Sequence, residues 1–119
     1  MFNAVRTMLD LQDRMNTKVH PEWRQQGFEW YRAAWIECAE LMDHAGYKWW
    51  KHADPDMEQI QLEVVDIWHF GMSSMICQCE NLDDLADQIA KDLQGAKLYR
   101  IRLVETHSIH TDYYGPDKK

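Results

Sequence analysis

The stretch from Met57 to Cys79 constrains this chain most. Ile60, Leu62, Val64, Val65, Ile67, Trp68, Phe70, Met72, Met75 and Ile76 crowd it so closely that no polar stripe survives at helical spacing. The pattern predicts a helix that is apolar on nearly every side, and such a helix has to be the central, buried one. Asp56, followed three residues later by Gln59, reads as a capping box that starts it. Inside it Glu63 and Asp66 are the only carboxylates between Gln61 and Gln78, and their spacing of three puts both on one face. An unpaired carboxylate is expensive to take out of water, so the pair requires cations or strong donors opposite it.

Three further helices are expected around this one. From Phe2 to Val19 the residues Phe2, Val5, Met8, Leu9, Leu11 and Met15 recur at steps of three and four, the mark of one buried stripe, and the helix ends before Pro21. The segment from Glu22 to Gly46 carries Phe28, Tyr31, Trp35, Cys38 and Met42 on one stripe, with Gly46 placed for a left-handed C-terminal cap. Asn81 caps a fourth helix bearing Leu82, Leu85, Ile89 and Leu93 and closed by Gly95. Beyond it, AKLYRIRLVE fits either strand or helix, and THSIHTDYYGPDKK has the composition of a mobile tail or interrupted loop. The expectation is an all-α helical core over residues 1–95, and a C-terminal extension or tail over 96–119.

With 119 residues the chain has room for one domain. Its net charge of -7 is the wrong sign for holding a nucleic acid polymer, and a phosphate ligand would need a local cation. Cys38, Cys77 and Cys79 are odd in number and lack zinc-type pairing, so they read as reduced thiols of a cytoplasmic protein. No apolar run approaches the roughly 18 residues of a membrane span, and nothing targets export.

The second helix repeats the acidic pattern. Its stripe Trp30, Ala33, Glu37, Glu40 and His44 contains another carboxylate pair three apart, and Ala33 and Ala34 allow close approach of a neighbour. A short connector favours antiparallel packing of the second and third helices, which would converge Glu37, Glu40, Glu63 and Asp66 across one gap. Oxygen donors without Cys or a His pair suit Mg2+, which reverses the site's sign for a polyphosphate and lowers the pKa of a bound water. One carboxylate left free of metal, Glu40 or a neighbour, could accept the proton. Two plainer accounts compete: an ordinary solvated face for Glu37 and Glu40, and an internal salt-bridge network supplied by Arg6, Arg14, Arg24 and Arg32.

Gln12 and Asn16, four apart, extend the apolar line of the first helix and occupy positions that periodicity assigns to the core. Amides there can read a pyrimidine edge, although partial exposure is the simpler account. In the connector YKWWKHADP, Trp49 and Trp50 could stack on a base, and Lys48 and Lys51 could meet phosphates. His69, three residues after Asp66, reads as a carboxylate partner, a base contact or a neutral core histidine. No Gly-rich phosphate loop, nucleophile elbow or His-Glu-x-x-His motif occurs.

ECAE at 37–40, GYKWWK at 46–51 and LEVVDIWHF at 62–70, preceded by MLDLQDRMN at 8–16, together resemble the dimeric all-α dUTPases, relatives of the MazG-type nucleotide pyrophosphatases. The likeness runs over about residues 5–75. It implies a four-helix core of the all-α NTP pyrophosphatase type, a homodimer, and Mg2+-dependent hydrolysis of dUTP, or dUDP, to dUMP. It maps two or more Mg2+ ions onto Glu37, Glu40, Glu63 and Asp66, and a deoxyuridine nucleotide site onto Gln12, Asn16 and Trp50. Lys51 and His69 resemble further members of that pocket, and Phe70 is a candidate for the apolar wall that selects deoxyribose. Family members usually continue into a later helix bearing Lys, Arg and Asn for the phosphates. Here Lys97, Arg100, Arg102, Lys118 and Lys119 match no such pattern, so a short or C-terminally truncated member is expected. A house-cleaning pyrophosphatase for dCTP or a modified nucleotide, and a catalytically incomplete helical dimer acting as an interaction module, are the alternatives.

Overall fold

The computed structural model describes residues 1–95, 100–104 and 110–114. Its core is all-α: α1 (Phe2–Val19), a single 3-10 turn (Trp23–Gln25), α2 (Trp30–His44), α3 (Met57–Gln78) and α4 (Leu82–Gly95). Two short strands follow, β1 (Arg100–Val104) and β2 (His110–Tyr114), paired antiparallel with Arg102 opposite Asp112. The AKLYRIRLVE segment thus supplies a strand, and part of the segment read as a tail supplies its partner.

Local chemistry sets the helix boundaries. His20, ahead of Pro21, is extended at φ -148° and stops α1. Gly27, at φ 67°, separates the 3-10 turn from α2, so the segment read as one helix is divided there. The Asp56 carboxylate accepts from the Gln59 amide at 3.2 Å to start α3, and Asn81 Oδ1 accepts from the Asp84 amide at 2.8 Å to start α4. Gly46 holds the turn after α2 for two reasons. Its φ of 75° disfavours any side chain, and a Cβ there would stand 2.7 Å from the Ala53 carbonyl oxygen.

The hydrophobic core lies at one end of the bundle, where Val5 and Leu9 of α1, Trp23, Met72 and Ile76 of α3, and Ala86 and Ile89 of α4 close on one another. Each large aliphatic buried in this way contributes about 1.5–3 kcal/mol. α1 therefore turns Val5, Leu9 and Gln12 inward and leaves Met8, Leu11 and Met15 of the expected stripe exposed.

α2 lies outside that core, antiparallel to the first half of α3. The register repeats every seven residues: the Trp30 and Phe70 rings lie 6.0 Å apart, Glu37 meets Glu63, and the Asp56 amide donates to the His44 carbonyl at 2.8 Å. Seven residues are two helical turns, so one face of each helix stays in contact along its length. That face of α2 is the small and acidic one. Its apolar residues Tyr31, Trp35 and Met42 are exposed, as are Leu62, Val64 and Val65 of α3. The central helix is thus buried in its second half and open in its first.

Candidate metal and nucleotide site

The seven-residue register delivers three carboxylates to one point. Oxygens of Glu37, Glu63 and Asp66 lie within 4.8 Å of one another. Glu63 is 5% exposed, Glu37 and Asp66 are half-buried, and Glu40 is exposed one turn further along α2. Packing of α2 onto α3 creates this cluster, because each helix alone supplies only a pair.

Among the described residues no Lys or Arg lies within 4.0 Å of Glu37, Glu40, Glu63 or Asp66. Arg6 pairs with Asp83 at 2.8 Å, Arg14 with Asp10 at 3.0 Å, Arg24 with Asp13 at 2.8 Å and Arg32 with Glu29 at 2.6 Å. The expected alternative of an arginine network is therefore corrected: the four arginines serve other acids. His44 Nε2 stands 3.7 Å from Glu63 Oε1. Glu37 Oε2 and Glu63 Oε2 are buried without a hydrogen-bond partner. The neighbouring Glu63 carboxylate, then burial, then Glu40 push the Glu37 carboxyl up from 4.5 to about 7. Buried oxygen donors left without partners, and no nitrogen or sulfur donor among the three, fit a hard divalent cation.

The amides of α1 form a second cluster. Gln12 Nε2 donates to Asn16 Oδ1 at 2.9 Å, Asn16 Nδ2 donates to Ser73 Oγ at 2.9 Å, and Ser73 Oγ donates to the His69 carbonyl at 2.9 Å. Gln12 is 6% exposed, so the partial exposure weighed from sequence does not apply to it. Ser73 stands seven residues, about 10 Å, beyond Asp66 on the same face of α3. The sequence reading missed it, and its signal was a small polar residue at the heptad position of Asp66. Phe70, between them, is half-buried against Trp30.

Trp50 and Lys51 lie on the exposed connector, with no hydrogen bond or ion pair to either cluster among the described contacts. Trp50 lines a recess of about 360 Å³ with Ala39, Met42, Asp43, Tyr47 and Lys48. The Trp49 and Trp50 rings meet edge to face at 5.5 Å, and Lys48 pairs with Asp43 at 2.8 Å, which holds that carboxyl below its usual value. Of the residues read from sequence, the structure thus brings Glu37, Glu63 and Asp66 together but not Glu40, gathers the amides in a second place, and leaves the connector open to solvent.

A family model described as dUTPase matches residues 4–112. The chain belongs to the dUTPase family, and it is an enzyme of the dUTP diphosphatase type, a hydrolase acting on acid anhydride bonds. No curated protein and no solved structure matches it.

Proposed function

From membership of the dUTPase family, we propose that this chain hydrolyses dUTP to dUMP and pyrophosphate at the carboxylate cluster, with Mg2+ bound there, and that it accepts dUDP as well. The observation that carries the reading is the convergence of Glu37, Glu63 and Asp66 within 4.8 Å, with no Lys or Arg among the described residues paired to them. Glu37, Glu63 and Asp66 would hold the metal, two or more ions by the family resemblance, with Glu40 one turn along α2. When bound, the metal supplies positive charge against the triphosphate and lowers the pKa of a coordinated water.

The chain's own residues do the rest. Glu40, the most accessible of the four acids, accepts the proton of the attacking water. The water oxygen bonds to phosphorus as the anhydride P–O bond opposite it breaks, and pyrophosphate leaves with the electron pair. Gln12 and Asn16 read the pyrimidine edge, Trp50 stacks on the ring, Lys51 meets a phosphate oxygen, and His69 and Phe70 wall the sugar and base. The exposed apolar stripe of α2 supports a homodimer, because Tyr31, Trp35, Ile36 and Met42 together form a surface that a second copy would cover. Cys38, Cys77 and Cys79 are free, which agrees with a cytoplasmic setting. Among the described residues no helix is long and apolar enough to cross a membrane.

Pyrophosphate release from dUTP, dCTP and dTTP at equal concentrations, with Mg2+ and with EDTA, tests the reading. Release confined to Mg2+ and highest with dUTP is expected. Equal release in EDTA would remove the metal, and no preference for dUTP would remove the substrate.

A further inference from the structure

The polar chain that joins α1 to α3 is directional, and its direction is set at Ser73. This serine is 1% exposed. Its hydroxyl has one proton, and the His69 carbonyl, 2.9 Å away, can only accept, so the proton is committed there. Toward Asn16 the same oxygen can then only accept. Asn16 must therefore present Nδ2 to Ser73 and Oδ1 to Gln12, and Gln12 must answer with Nε2. Turning over either amide would bring two acceptors or two donors face to face, a cost that is higher at Gln12 because it is 6% exposed.

We propose that Ser73 is a positioning residue that fixes which atoms Gln12 and Asn16 present to the base, and thereby sets the preference for uracil over cytosine. This rests on the reading that the two amides face the base. Uracil offers an N–H between two carbonyl oxygens, whereas cytosine offers an amino group next to an unprotonated ring nitrogen, so the donor and acceptor order is reversed at two of three positions. An amide held in one orientation complements one order, and an amide free to turn over complements both. Ser73 does not touch the nucleotide; it acts through Asn16 and then Gln12.

The test compares kcat/KM for dUTP and dCTP in the wild-type chain, Ser73→Ala, Ser73→Thr and Gln12→Ala, with folding followed by circular dichroism. In Ser73→Ala the dUTP-to-dCTP ratio is expected to fall roughly ten-fold, about what one lost hydrogen bond of orientation is worth. The hydroxyl of Ser73→Thr should restore it. A folded Ser73→Ala whose ratio stays within about two-fold of wild type, beside a Gln12→Ala whose ratio collapses, overturns the role of Ser73 and leaves the base reading standing. A Gln12→Ala ratio equal to wild type overturns the base reading, and the proposal with it. If Ser73→Ala does not fold, the wild-type chain still decides: the Asn16 side-chain amide protons should show nuclear Overhauser effects to the Ser73 β protons, and effects to the Gln12 side chain in their place overturn the proposal.

Discussion

Glu63→Gln should change stability with opposite signs depending on metal. In the metal-free protein the Glu63 carboxylate is the largest cause that lifts the Glu37 carboxyl from 4.5 to about 7. A carboxyl raised in this way holds its proton longer in the folded than in the unfolded chain, so stability is greatest below about pH 4.5 and falls as pH rises to about 7. Each pH unit of displacement corresponds to about 1.4 kcal/mol. Because Glu37 is only half-buried and water screens it, about 1–2 kcal/mol is expected to be lost across that window. Glutamine at 63 keeps the shape, removes the charge and can donate to Glu37. In EDTA at pH 8 the variant should therefore be more stable than wild type by about 1–2 kcal/mol, with the pH slope flattened. In Mg2+ the order should invert, because metal at about a hundred times its dissociation constant adds about 2.7 kcal/mol to a chain that binds it and far less to one missing a ligand. Urea unfolding at pH 5 and pH 8, each with EDTA and with Mg2+, reads all four values. A Glu63→Gln chain less stable than wild type in EDTA at pH 8 would refute the argument, since it would mean that the carboxylate stabilises the apo fold.

Three further outcomes are expected. Gly46→Ala should lose about 2 kcal/mol in urea unfolding, because a left-handed residue acquires a Cβ 2.7 Å from the Ala53 carbonyl oxygen; a loss of a few tenths would mean that the turn relaxes freely. Asn81→Ala should lose about 1 kcal/mol by leaving the Asp84 amide without its cap, and Asn81→Asp should fall between that variant and wild type because it keeps the cap but sets a second carboxylate against the Asp84 oxygen to which the Asn81 amide donates at 2.9 Å. Trp35→Glu, at a position 74% exposed on α2, should leave the helical signal intact and shift sedimentation velocity from dimer to monomer; an unchanged sedimentation coefficient would exclude that face from the interface.

Much of this fold is legible in the sequence because its punctuation is local. The stop before Pro21, the cap at Asp56, the left-handed Gly46 and the cap at Asn81 each depend on a few contiguous residues, and each recurs in the structure where the pattern puts it. Both acidic pairs were also readable, since residues three apart must share a helix face. The short α2–α3 connector pointed to their facing each other, but of the four acids expected to converge only Glu37, Glu63 and Asp66 do, with Glu40 exposed one turn away.

Which face of each helix turns inward was decided only by tertiary structure. The apolar stripe of α2 ranks as core by composition, yet Tyr31, Trp35 and Met42 are exposed while Ala33, Ala34 and Glu37 are half-buried. On α1 the inward line continues through Gln12 because Asn16 and Ser73 satisfy a chain of amides there, while Met15 stays outside. Local sequence specifies a helix through dihedrals and caps. Burial of a side chain depends on what stands opposite it, and neither the orphaned oxygens of Glu37 and Glu63 nor the committed proton of Ser73 exists until α1, α2 and α3 are packed together.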